Sequence, residues 1–219
     1  MIFHRLFADH TSPSSVASRL RRRRFEIFSR IAAKIPAPVK VLDVGGTPGY
    51  WSAISPPAMG RLRVTLLNTT PLAAPPQFTS LVGDARDMSF LEDKTFDVVF
   101  SNSVIEHVGG FEDQLRMARE VQRVGRFIYI QTPNRGFPIE PHFEFPFFQH
   151  LPLAWRVHLV RRFDLGWYKR IPDPTAARQA VESIRLLSRH EVQLLFPDAA
   201  IFTERFLGLA KSFVAFTEA

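Results

Sequence analysis

The sequence predicts an α/β domain on a mostly parallel sheet, and three observations carry that expectation. Apolar, β-branched runs alternate with segments of helical period along residues 39–131. Residues 95–100, TFDVVF, read as a strand covered on both faces. The stretch VLDVGGTPGYW, residues 41–51, ends an apolar strand in an acid and then places three glycines within five positions. In an open parallel sheet, ligands sit beyond the carboxyl ends of the strands, which is where this glycine loop falls.

Taken in order, residues 13–35 carry Val16, Leu20, Ile27, Phe28, Ile31 and Ile35 near helical spacing after a Thr/Ser/Pro start signal. An amphipathic helix with an arginine face is expected there, ended by Pro36 and Pro38. Strands follow at 39–44, 62–67, 78–82, 95–100 and 126–131. A short helix is expected at 49–54, stopped by Pro56 and Pro57, and a longer one at 111–123. Residues 134–175, rich in Pro, Phe, His and Trp, break the rhythm and read as an insertion or lid. Ser188 and Glu191 form a capping box for a further helix, and residues 200–206 and 209–216 read as a closing antiparallel hairpin. The organisation expected is a basic helical arm at 1–38 and one domain at 39–219.

With 46% hydrophobic and 22% charged residues in 219, the chain has the composition of a globular protein with one sizeable core. It has no cysteine, which excludes disulfides, thiolate metal sites and a thiol nucleophile. The N-terminal MIFHRLFADHTSPSS lacks the apolar core of a secretion signal, and no window approaches the roughly 18 apolar residues of a membrane span, so the cytoplasm is the expected location. The formal charge is +7, and it is local: residues 1–40 hold nine Lys/Arg against Asp9 and Glu26, leaving 19 basic and 19 acidic side chains elsewhere. A nucleic-acid partner is therefore not expected, although the arginine run at 21–24 keeps an anionic substrate, membrane or RNA open.

Three ligands commonly meet a glycine loop of this kind. A phosphate-binding P-loop needs Lys and Ser/Thr after the last glycine, and Tyr50 and Trp51 stand there instead. The dinucleotide fingerprint needs a G-x-G-x-x-G spacing that Gly45, Gly46 and Gly49 do not supply. VLDVGGTPG resembles the first motif of class I S-adenosylmethionine-dependent methyltransferases, with Thr47 where the middle glycine usually sits. A threonine there would be strained if the position needs a positive φ. VTLLN, LVGDARDM and FDVVFSNSVIEHV resemble that family's later motifs in the same order, and the likeness is closest to the type 11 and 23 small-molecule branch.

The resemblance implies a Rossmann-like class I methyltransferase fold, with about seven strands, an antiparallel C-terminal hairpin and helices on both faces. It implies S-adenosylmethionine as cofactor, held by Asp43, Gly45, Gly46, Thr47 and Gly49 in the loop. Asn68 would bind the ribose, Asp84 and the Ala85 amide the adenine, and Ser101 and Asn102 the methionine end. For the acceptor side, His107 follows the fourth strand, and Glu140, His142, Glu144 and His150 lie in the aromatic insertion. His107, His142 and Glu144 are candidate bases, and Glu140, His142 and His150 candidate acceptor contacts. If residues 140–144 were extended, Glu140, His142 and Glu144 would share one face, but the proline-rich flanks argue for a loop, and no metal is expected. The function implied is methyl transfer to a small or lipid-like acceptor, with oxygen the expected atom. The alternatives are an RNA or protein methyltransferase tethered by the basic arm, or a non-catalytic binding module.

Overall fold

The computed structural model describes residues 16–54 and 59–218. The readings made on residues 1–15 and on the Pro56–Pro57 stop lie outside the described residues. Helix α1 spans Val16–Ala33, and β1 (Val39–Val44) leads into α2 (Pro48–Ile54). Then come β2 (Leu62–Asn68), β3 (Phe78–Val82), β4 (Phe96–Asn102), α3 (Phe111–Val124) and β5 (Gly125–Pro133). The insertion holds a two-residue pair, β6 (Ile139–Glu140) with β7 (Phe145–Pro146), and helix α4 (Leu153–Arg162). Helices α5 (Pro174–Glu182) and α6 (Arg189–Leu195) precede the hairpin β8 (Ala200–Phe206) and β9 (Leu209–Phe216).

The seven-stranded sheet runs β3-β2-β1-β4-β5-β9-β8. Strands β1 to β5 pair in parallel, whereas β9 is antiparallel to both β5 and β8. Strand order reverses between β1 and β4, which creates the crevice where ligands bind in such sheets. The buried runs Val41, Leu42, Val44 and Val98, Val99, Phe100 explain why these strands sit centrally: both of their faces are covered.

On one face, α1 packs Phe25, Phe28 and Ile31 against Trp51, Phe100 and Tyr129, whose rings meet edge-to-face or stacked. The other face is closed by α3 and α6 through Met117, Val121, Val192 and Leu195. The insertion adds a small core of its own, Phe143 and Phe148 against Val160, Ala177 and Val181. The capping box on α6 forms as the sequence indicates, with Ser188 Oγ accepting from the Glu191 amide and Glu191 accepting from the Ser188 amide. Among the described residues, no helix is long and apolar enough to cross a membrane.

Candidate active site

A cleft of about 350 Å³ opens at the carboxyl ends of β1, β2 and β4, lined by Gly45, Asn68, Asp84, Ala85, Val104 and His107 among others. Its volume and its position at the point of strand reversal suit a cofactor-sized ligand. Gly45 has φ +72°, and a Cβ there would lie 2.5 Å from Val104 Cγ2, so only glycine leaves this wall open. The loop is stitched down by Gly45 N donating to Leu67 O (2.8 Å) and Asn68 Nδ2 donating to Gly46 O (3.1 Å). Thr47 is not among the positive-φ residues, so the strain that its side chain would meet in a left-handed turn does not arise.

Asp43 does not line the cleft. Its carboxyl lies 2% exposed beneath the loop, accepts from Trp51 Nε1 at 2.7 Å, and occupies the space a Cβ at Gly46 would need. Burial pushes its pKa up to about 8, against the opposing pull of the Trp51 hydrogen bond. The glycine at 46 is therefore required by Asp43 from below. Thr47 and Gly49 are exposed at the start of α2, and a Cβ at Gly49 would meet open space. Ser101 is buried, and its hydroxyl donates to Val44 O at 3.3 Å. Asn102 keeps a buried Oδ1 with no partner among the described residues.

Asp84 lines the cleft, but its carboxylate is gripped by Arg86, at 2.6 Å from Nη2 and 3.0 Å from Nε. That side-chain bond holds the Asp84 pKa below the usual carboxylate range. Arg86 also reaches Val108 O and Asp113, tying the third and fourth strand ends together across the cleft. Sequence reasoning missed this arginine, although its place two residues after Asp84 was visible.

At the His107 end the fold assembles a cluster that the sequence scattered over 36 positions. His107 and His142 meet edge to face, with centroids 4.8 Å apart. His142 Nδ1 lies 2.7 Å from Glu140 Oε1, while Glu140 Oε2 accepts from the amides of His142 and Phe143. Those amide bonds make residues 140–143 a turn, and Glu144 has φ +49°, so the run is not extended and Glu140, His142 and Glu144 do not share a face. Glu106, fully buried, completes the group: Oε2 accepts from Thr132 Oγ1 at 3.0 Å, and Oε1 has no partner among the described residues. His150 is exposed and ends a short turn elsewhere in the insertion.

The charges in this cluster are set by burial and by one another. Burial pushes Glu106 up to about 7. His107 is exposed at the cleft rim, yet the protein packed around its ring removes part of its solvation, and this, with the neighbouring His142 charge, holds it below the ordinary imidazole range. Burial also opposes the His142 charge, but the bonded Glu140 carboxylate outweighs it and raises the His142 pKa. The two imidazoles are thus pushed in opposite directions, His107 towards the neutral form on the cleft and His142 towards the charged form behind it. One ligand atom each from Glu106, His107 and His142 lies within 4.8 Å of the others, a set that can pass a proton or hold a cation.

The comparisons with known proteins bear on the cleft half of this arrangement. Residues 42–127 match the family model described as "Methyltransferase domain". These residues thus carry the sequence pattern of a methyltransferase domain. An uncharacterised protein found in two strains of Mycobacterium tuberculosis is 38% identical over 68 residues, 31% of this chain and 23% of the relative's own length. The match thus spans about a quarter of those curated relatives. Two solved structures share the fold: a SAM-dependent methyltransferase from Methanosarcina mazei (TM-score 0.53, 17% identity, 87% of this chain and 95% of that one) and a Burkholderia thailandensis 1,6-didemethyltoxoflavin-N1-methyltransferase, solved with bound 1,6-didemethyltoxoflavin and S-adenosylhomocysteine (TM-score 0.52, 13% identity, 91% and 79%).

Proposed function

We propose that the chain transfers a methyl group from S-adenosylmethionine to a hydroxyl of a small acceptor. The observation that carries this reading is the contact between a cofactor-sized cleft at the strand reversal and a neutral imidazole, His107, on its rim. The cleft fits the cofactor: Gly45 leaves the backbone bare, and Asn68 and Asp84 offer polar atoms in its lining. When bound, the cofactor supplies a methyl group already activated by its sulfonium.

The protein's own part is positioning and proton handling. A hydroxyl placed against His107 can give its proton to the free imidazole nitrogen, which the lowered pKa keeps unprotonated near neutral pH. His142 acts through His107: Glu140 fixes its ring, and its edge-to-face contact fixes the His107 plane. In the insertion Trp155, Trp167, Phe147 and Phe163 are exposed, which favours an apolar, lipid-like acceptor over a polymer. Part of the arginine run is structural, since Arg24 is paired with buried Glu204, and this weakens the reading of the run as a nucleic-acid tether.

The test is transfer of label from methyl-tritiated S-adenosylmethionine into the low-molecular-mass fraction of a cell extract. The parent should label that fraction, and His107→Gln should lower the rate about 100-fold while still binding S-adenosylhomocysteine. Label appearing only in RNA or protein would replace this reading with the macromolecular one, and no label despite cofactor binding would favour a non-catalytic module.

A further inference from the structure

Glu140 also lines a second pocket, of about 130 Å³, which shares no lining residue with the cleft. Three guanidinium groups line it, those of Arg135, Arg156 and Arg185. Two of them are already bound: Glu191 sits between Arg135 (3.2 Å) and Arg185 (2.6 Å), and Arg185 also donates to Gln114 Oε1. Arg156 is different. Its Nε is buried with no acceptor, and no ion pair to its guanidinium exists among the described residues. Burial lowers its pKa, and Glu182 answers only from a distance.

A second orphan faces the same space. Gln149 gives both protons of its side-chain amide to backbone carbonyls, at 2.8 Å to Arg135 O and 2.8 Å to Phe137 O, which fixes the amide's orientation. Its Oε1 is thereby turned away from those carbonyls and is left buried with no donor. A buried donor and a buried acceptor without partners cost stability unless something visits them. The one acid in the lining, Glu140, is fully committed to His142 and to two backbone amides, so it does not neutralise Arg156. The rest of the lining, including Phe143, Phe148 and Val181, is apolar and keeps water sparse.

We infer that this pocket is a separate subsite for a small oxyanion, a carboxylate or a phosphate, whose oxygens accept from Arg156 and which bears or adjoins a hydroxyl that donates to Gln149. A planar guanidinium with unspent donors is the group best matched to such an oxyanion. Binding of an oxyanion in this pocket does not depend on the methyltransferase reading, since the pocket and the cleft share no lining residue.

The experiment is a titration of the protein with inorganic phosphate, followed by nuclear magnetic resonance at the arginine Nε–H and glutamine side-chain amide signals. Saturable shifts at Arg156 and Gln149 are expected in the parent, weakened at least about tenfold in Arg156→Gln and unchanged in Arg162→Gln, an exposed arginine on the same helix. Thermal melting of Arg156→Gln should match the parent, and Gln149→Glu, which sets a negative charge against the anion, should weaken phosphate by a similar factor. Absence of saturable shifts, or equal weakening in Arg162→Gln, overturns the inference. S-adenosylhomocysteine binding is measured in parallel: its loss in the parent would remove the methyltransferase reading while leaving a positive phosphate result standing as an oxyanion site.

Discussion

Asp43→Asn separates a structural acid from a ligand-binding one. In the folded chain the Asp43 carboxyl keeps its proton up to about pH 8 because it is buried, whereas an unfolded aspartate loses it near 3.8. Between those values the folded state binds one more proton than the unfolded state, so this group lowers stability as pH rises, by about 1.4 kcal/mol per pH unit. Asparagine has nearly the same shape, can accept from Trp51 Nε1 through Oδ1, and does not ionise. Urea unfolding at pH 5 and pH 7 should therefore show Asp43→Asn gaining on the parent by about 3 kcal/mol over the two units. Glu106, pushed up to about 7, titrates in the same direction in both proteins and cancels in the difference. Parallel stability lines for parent and variant would refute the argument and return Asp43 to a solvated, ionised role at the cofactor. Cofactor affinity in the variant is expected within about threefold of the parent, since the carboxyl does not line the cleft.

Other outcomes follow from the same geometry. Gly45→Ala places a side chain at φ +72° and against Val104, so S-adenosylhomocysteine affinity by calorimetry should fall by about tenfold or more, with a stability loss of about 1–2 kcal/mol. The base assigned to His107 must be unprotonated, and its pKa is held below the ordinary imidazole value, so the acid limb of the kcat/KM profile should lie below about pH 6.5. Glu140→Gln removes the anion that raises His142, and should lower kcat with little change in cofactor affinity, read by the split between kcat and the S-adenosylhomocysteine Kd. Arg24→Met strands the buried Glu204 carboxylate and should cost about 3–5 kcal/mol, lowering Tm by about 10 °C in a melting experiment.

The central sheet was legible because its signals are local and redundant. Val39–Val44 and Phe78–Val82 stand where their apolar runs place them, and the parallel order follows from alternation with helices. Of the residues singled out in the sequence, Gly45, Asn68, Asp84, Ala85 and His107 line the cleft. What was not legible depends on distant partners. That Asp43 supports the loop from below requires knowing where Trp51 turns, and that Asp84 is gripped by Arg86 is a matter of side-chain direction. At residues 140–144 the proline-rich flanks pointed to a loop rather than a strand face, and a turn forms there, but its cause, Glu140 accepting from the amides of His142 and Phe143, was not legible. The meeting of His142 with Glu106 and His107 joins the insertion to the end of β4, and no spacing rule encodes it.

The most direct test of the account is calorimetric titration of the parent with S-adenosylhomocysteine, repeated on Gly45→Ala. Saturable one-to-one binding in the micromolar range, lost or much weakened in the variant, is the result predicted. Absence of binding to the folded parent, or equal binding in both, would contradict the claim that the cleft beside Gly45 is the cofactor site.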